Sequence, residues 1–268
     1  MERVRVNRLE PIVAATREEV RRRKLQTGLD QLERLAARRA DAGDRRSFAD
    51  AIAAPGLSVI AEHKRRSPSA GLIRAGLALE EVVGAYERGG ARAVSVLTEG
   101  PNFGGALHDL GAARAATALP ILRKEFIVEP YQVTESFAAG ADAILLIVAA
   151  LSAGELAGLQ REAGAYGLAV LVEVHEQAEL DAALSSGARL IGINNRDLTT
   201  LTVDRRRTFE LLPSVPAGIP VVAESGYSAP PELEQLAQAG VSAVLIGEAL
   251  MRAPQIESAC RKLCRSGV

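Results

Sequence analysis

Four segments of the chain repeat one pattern, a glycine followed by an unbroken apolar run. GARAVSV begins at Gly90, GADAILLI at Gly140, GARLIGI at Gly187 and GVSAVLIG at Gly240, at spacings of 50, 47 and 53 residues. A glycine closes a preceding helix, and a run without polar alternation is how a parallel strand covered on both faces reads. Four further runs fall between and before them: LSVIAEHK (57–64), LPILRKEF (119–126), LAVLVEV (168–174) and IPVVAESG (219–226). Interleaved, the two sets predict eight strands. Helical spacing of apolar residues fills the gaps, over 80–88, 131–139, 152–165, 176–185, 205–212 and 230–239.

Alternating strand and helix requires parallel crossovers, which places the chain in the α/β class. Eight such units suit a closed TIM (β/α)8 barrel. An open doubly wound sheet would more often carry G-x-G-x-x-G after its first strand, and none is present. Residues 1–56 precede the first strand and carry helical signals in VAATREEVRRRK and LDQLERLAARRADAG. They predict an N-terminal helical extension packed on a barrel of residues 57–268, the whole chain forming a single domain. The arginine runs RRRK and RRR read as solvated helix faces.

Composition narrows the function. With 268 residues, 48% of them hydrophobic, the chain can bury a sizeable core. A net charge of -1, 3% aromatics and no Trp argue against nucleic acid as a partner. The longest apolar stretch, 143–151, falls well short of the roughly 18 residues that span a bilayer, and the N-terminus lacks the apolar core of a signal peptide. No membrane partner and a cytoplasmic location are expected. Cys260 and Cys264 are four apart and share a helix face, which suggests a structural pair of thiols. His63, His108 and His175 are scattered without a metal-binding spacing, so no metal site is expected.

The cations are uneven. Only four of the 32 are lysines, Lys24, Lys64, Lys124 and Lys262. In a chain that otherwise uses Arg for positive charge, each Lys is a candidate for chemistry that guanidinium cannot do. Two of them end predicted strands, and so do several carboxylates: Glu62 and Lys64 end the first, Lys124 and Glu125 the third, Glu173 the fifth and Glu224 the seventh. Barrel strands end at the active-site face, and charge there is costly unless paired or used, so these side chains are expected to converge on one mouth. Glu62 and Lys64, two apart, share a side of their strand, and His63 turns outward as a packing residue. The last two loops, Glu224-Ser225-Gly226 and Gly247-Glu248-Ala249-Leu250, combine glycines with a helix start, a pattern suited to phosphate.

IAEHKRRSPSAG (60–71), SVLTE with NFGG (95–105), PILRKEFIVEPYQ (120–132), GADAILLIVAAL (140–151), LVEVH (171–175), IGINNRDL (191–198), VVAESGY (221–227) and VLIGEALM (244–251) together resemble the indole-3-glycerol phosphate synthase family over essentially the whole chain. The K-x-x-SPS-x-G, L-R-K-[DE]-F and IGIN-x-RDL strings are the most specific. Ala106 stands where a Ser often follows the F-x-G element, and His63 occupies a variable site.

The resemblance implies ring closure, decarboxylation and dehydration of 1-(2-carboxyphenylamino)-1-deoxy-D-ribulose 5-phosphate, without a cofactor, by a monomer or weak homo-oligomer acting on a small phosphorylated substrate. Lys124 matches the general acid of ring closure, and a second cation beside it would lower its pKa. Glu173 matches the glutamate that steadies the imine cation and exchanges protons. Lys64, oriented by Glu62, matches a substrate-contacting lysine, and either it or Glu173 supplies the dehydration proton. Asn194 matches a partner for a substrate hydroxyl, and Glu224 a further active-site carboxylate. Phe126 is expected against the anthranilate ring, Ser67 and Arg196 as positioning groups, and Ser225, Gly226, Gly247 and the backbone N–H of Glu248 around the phosphate. Two rival readings are phosphoribosylanthranilate isomerase and a phosphate-binding barrel without activity. The first needs a Cys and an Asp as its acid–base pair, but both cysteines lie in the last helical segment; the second would have no need of the two lysines and Glu173.

Overall fold

The computed structural model describes residues 9–68, 70–74 and 76–265. Residues 1–8 of the expected extension and Ser69 of the SPS string lie outside the described residues. Three helices come first, α1 (Leu9–Gln26), α2 (Leu29–Asp41) and α3 (Phe48–Ala53). Strand β1 (Ser58–His63) follows, then a small antiparallel hairpin of β2 (Arg66–Ser67) and β3 (Gly71–Leu72). Helix and strand then alternate through α4 (Leu79–Arg88), β4 (Ala93–Leu97), α5 (His108–Ala116), β5 (Ile121–Lys124), α6 (Pro130–Ala139) and β6 (Ala143–Ile147). The alternation continues with α7 (Ala153–Ala165), β7 (Ala169–Val174), α8 (Gln177–Ser185), β8 (Ile191–Asn194), α9 (Arg206–Leu211) and β9 (Val221–Glu224). It ends with α10 (Pro230–Gln238), β10 (Ala243–Ile246), α11 (Glu248–Arg252) and α12 (Ile256–Cys264).

Strand β1 and strands β4 to β10 form one closed parallel barrel, in which β1 pairs with both β4 and β10. Its strands read as unbroken apolar runs because both of their faces are dry. Ile60, Leu122, Leu171, Val222 and Leu245 point inward and form one cluster, whereas Val59, Ala61, Val94 and Val244 pack outward among the helices. The six predicted helices match α4 and α6 to α10 to within one residue at each end. Helices α3 and α5 and the β2–β3 hairpin were not predicted. Glycine and alanines fill much of α5, which leaves Leu110 as its one large apolar side chain in the core and no readable stripe. No helix among the described residues is long and apolar enough to cross a membrane.

Helix α3 closes the end of the barrel away from the mouth. Phe48 and Ile52 of α3, both essentially fully buried, enter the interior cluster as a plug. Beside them lies a charged staple. Arg39 of α2 donates to Phe137 O at 2.5 Å, to Ala141 O at 2.6 Å and to Asp142 Oδ1 at 2.8 Å. Arg114 of α5 donates to Asp142 Oδ2 at 2.8 Å and also binds Asp44. Arg46 reaches Thr117 O at 2.6 Å and Leu119 O at 2.9 Å.

The expectation that both arginine runs are solvated needs correction at one residue in each. Arg23 of the first run pairs with buried Glu135 at 3.2 Å, and Arg207 of the second donates to Asn194 O at 3.1 Å. A helix laid on a barrel turns one side of its surface inward, so a run of three consecutive residues cannot be solvated throughout. The cysteine pair sits as expected on one face of α12, Sγ to Sγ 3.8 Å, with Cys260 buried.

Candidate active site

Parity builds the site. Glu62, Lys124, Glu173 and Glu224 each lie two residues beyond an inward apolar residue, Ile60, Leu122, Leu171 and Val222 respectively. Side chains two apart on a strand share a face, so all four charges point into the barrel. In the barrel Glu62 pairs with Ser95, Lys124 with Leu97, Glu173 with Ile147 and Glu224 with Asn194. The result is a floor of charge beneath a cavity of about 430 Å³, a size suited to a small metabolite.

Lys124 is the centre of that floor. Its Nζ donates to Glu173 Oε2 at 2.8 Å and to Glu224 Oε2 at 2.7 Å. Lys64 Nζ lies 3.0 Å from Glu62 Oε1. Both lysines keep only about a seventh of their side-chain surface exposed, and the glutamates almost none. Three carboxylates thus face two ammoniums in a buried space, where unequal charge is costly.

The expected lowering of the Lys124 pKa is therefore overturned. Burial alone would push its ammonium down, but Glu173 and Glu224, with Glu62 behind them, outweigh burial and hold the pKa well above the usual lysine value. The nearest partners are carboxylates rather than a second cation; Lys64 is occupied by Glu62. Glu173 shows the reverse balance: burial favours its neutral form, but Lys124 and then His175 keep it below the ordinary carboxylate range. Glu224 gains less from Lys124 than it loses to burial and to the nearby charge of Glu173, and its pKa is pushed up to about 7.

Of the remaining expected residues, Asn194, Phe126 and Arg196 border the cavity, as do Ser225, Gly226, Gly247 and Glu248. Asn194 Oδ1 accepts the backbone N–H of Arg196 at 3.0 Å, and the Arg196 guanidinium donates to Leu201 O at 3.0 Å. Ser225 adopts φ 66°, a left-handed conformation uncommon outside glycine, and Gly226 follows at φ 93°. At Gly247 any side chain would collide with the floor, since a Cβ there would stand 2.5 Å from Glu62 Oε1. Ser67 is not brought into the cavity lining; its Oγ accepts the backbone N–H of Ala70 at 3.2 Å within the β2–β3 turn. Glu125 borders the cavity, but its carboxylate does not join the convergence: it accepts from Thr98 Oγ1 at 2.8 Å and from the backbone N–H of Phe126 at 3.0 Å.

Sequence reasoning missed the apolar wall. Leu97, Phe103, Leu145, Ile147, Leu198 and Leu245 line the cavity with Phe126. Inward apolar positions of a strand end look the same in sequence whether they fill the core or face a ligand, so only Phe103, inside the NFGG string, carried a signal. Glu99 was also missed as a loop organiser: it accepts the backbone N–H groups of Asn102 at 2.7 Å and Phe103 at 2.9 Å.

The family model for indole-3-glycerol phosphate synthase matches residues 9–263. A relative named indole-3-glycerol phosphate synthase from Rhizorhabdus wittichii is 46% identical over 258 residues, covering 96% of this chain and 98% of its own. Indole-3-glycerol phosphate synthase 2 from Streptomyces coelicolor is 48% identical over 233 residues, covering 87% of this chain and 89% of its own. Among solved structures, 3-hexulose-6-phosphate synthase from Salmonella typhimurium shares the barrel with TM-score 0.62 at 15% identity, over 78% of this chain and 98% of that one, a likeness of fold alone.

Proposed function

The chain belongs to the indole-3-glycerol phosphate synthase family, and from that premise we propose how its mouth residues divide the reaction. It is a decarboxylating lyase of tryptophan biosynthesis, converting 1-(2-carboxyphenylamino)-1-deoxy-D-ribulose 5-phosphate to indole-3-glycerol phosphate, CO₂ and water.

In the proposed sequence the phosphate is held by Ser225, Gly226, Gly247 and the backbone N–H of Glu248. The aromatic ring lies on Phe126 and the apolar wall, which directs the ribulose ketone to the floor. Ring attack on that ketone builds negative charge on oxygen. Lys124 turns from its two carboxylates to meet it, first as a charge and then as the proton donor. A raised pKa does not defeat this step, because an alkoxide is more basic than any lysine amine, and the transfer runs downhill.

Closure leaves an imine cation beside the ionised Glu173, which steadies it while CO₂ departs. Loss of CO₂ restores the aromatic ring, and the remaining hydroxyl must leave as water. Lys64, held by Glu62, protonates it, and Glu173 receives the proton given up by the ring carbon beside the nitrogen, so that the ring double bond forms and the nitrogen keeps its hydrogen. Asn194 holds a substrate hydroxyl, Arg196 and Ser67 brace the loops around it, and Glu224 returns Lys124 to its resting place. No metal or organic cofactor has a part in this scheme. We further place the enzyme in the cytoplasm, acting on its small phosphorylated substrate as a monomer or weak homo-oligomer, because one chain supplies every group named.

The observation that carries the scheme is Lys124 bridging two buried glutamates at the cavity floor. The test is indoleglycerol phosphate fluorescence formed from the carboxyphenylamino sugar phosphate in buffer treated with chelator. Turnover is expected without added metal; turnover that chelation abolishes and a divalent cation restores would overturn the scheme.

A further inference from the structure

His175 is a buried titratable group at the end of β7 that the scheme above leaves without a part. Its ring stands between two carboxylates. On one side Nδ1 lies 3.1 Å from Glu179 Oε2 of α8, and the same oxygen accepts the backbone N–H of His175 at 2.6 Å. On the other side Nε2 lies 3.4 Å from Glu173 Oε1 and has no hydrogen-bond partner among the described residues. Lys124 binds Glu173 through Oε2, so the imidazole faces the oxygen that Lys124 leaves open.

The charged groups that face the ring are Glu173 on its own strand, Glu179 on α8 and Arg207 on α9. Burial works against the imidazolium, but Glu179 and Glu173 favour it more strongly than Arg207 opposes it, and the pKa is raised. A cation here fits a particular moment of the cycle. While Lys124 bridges Glu173 and Glu224, Glu173 has a strong counter-charge. When Lys124 turns to the substrate ketone that counter-charge leaves, and burial would then draw a proton onto Glu173 before the imine cation forms.

We propose that His175 is a positioning residue for the lyase reaction: gripped by Glu179, it holds Glu173 Oε1 from behind and keeps that carboxylate ionised and aimed while Lys124 serves the substrate. The proposal rests on Glu173 acting in the reaction. Groups that orient and charge-balance a reactive residue from outside its first contacts are commonly worth about ten- to a hundredfold in function, as second shells of metal sites illustrate.

The test is the pH profile of kcat for His175→Leu and His175→Gln. An ionised Glu173 is required, so kcat falls as pH drops through its pKa in the complex. Loss of the neighbouring cation raises that pKa. His175→Leu is expected to move the acid limb up by about one pH unit and to lower kcat about tenfold at pH values on that limb, with KM nearly unchanged. His175→Gln keeps an N–H donor without the charge; it is expected to recover the plateau kcat while its acid limb stays displaced. The glutamine variant also carries the test if the leucine variant does not fold.

Acid limbs at the wild-type position in the folded variants would overturn the proposal. Glu173→Gln, measured alongside, separates the two ideas. If it keeps near-normal turnover, the role of Glu173 is wrong and that of His175 falls with it. If it is inactive while the His175 variants have unshifted limbs, only the His175 proposal is lost.

Discussion

The two ends of this barrel both bury charge, and they do so in opposite ways. At the closed end Arg39, Arg46 and Arg114 surround Asp142 and Asp44, and backbone carbonyls absorb the remaining donors. No buried side-chain atom of these five residues lacks a hydrogen-bond partner. On the floor of the mouth the cations are lysines, the carboxylates outnumber them, and Glu224 Oε1 and His175 Nε2 are left unpartnered. Guanidinium forks suit a fixed joint because they spread several bonds in one plane and do not give up a proton. Ammonium groups on flexible stems suit a site that must exchange partners. Buried charge alone therefore does not mark a catalytic centre. The distinguishing features are the type of cation and the unfilled bonds.

The difference should be sharpest in single substitutions. Lys124→Ala is expected to lower kcat of the folded protein by about 10³-fold or more, and Lys124→Arg should fail similarly because arginine cannot deliver the proton. Steady-state fluorescence with circular dichroism checks both, and an active arginine variant would reduce Lys124 to a fixed charge. Asp142→Ala at the closed end should do the reverse. Removing one partner from a buried ion network is expected to cost about 3–5 kcal/mol of stability, read from urea unfolding, with kcat of the folded protein close to wild type. A large fall in kcat at unchanged stability would contradict the division between the ends.

A smaller effect follows from the excess negative charge at the mouth. The folded-state pKa of Glu224 is pushed up to about 7, above its unfolded value near 4.3. Between those values the folded protein holds the extra proton, so this group's contribution to stability declines as pH rises through that window. Glu224→Gln has no such proton to lose. Its melting temperature relative to wild type should rise from pH 5 to pH 8; a difference constant across that range would place Glu224 in an ordinary carboxylate environment.

The barrel was legible in the sequence because a strand dry on both faces leaves an unbroken apolar run, and the floor because charge ends those runs at inward positions. Glu62, Lys124, Glu173 and Glu224 needed only strand parity to be gathered. Their pairing did not follow from parity. Lys124 meets Glu173 and Glu224 at separations of 49 and 100 residues along the chain, and only the pairing register across a closed barrel decides that they touch. The same ignorance of register produced the wrong sign for the Lys124 pKa. The plug of Phe48 and Ile52 was hidden for another reason: six residues of α3 are too few to display a periodic face. Glu125 was misread because a strand alternates even at its charged end, and the residue after an inward lysine turns out to Thr98.

The most direct measurement is a crystal structure with an unreactive analogue of the substrate in which the ketone is reduced to an alcohol. The expected result has phosphate oxygens within about 3 Å of Ser225 and of the backbone at Gly247 and Glu248, the aromatic ring against Phe126, and Lys124 Nζ moved to about 3 Å from the oxygen that replaces the ketone. An analogue bound elsewhere, or one bound at the mouth with its reacting carbon out of reach of Lys124, would contradict the central role given to that lysine.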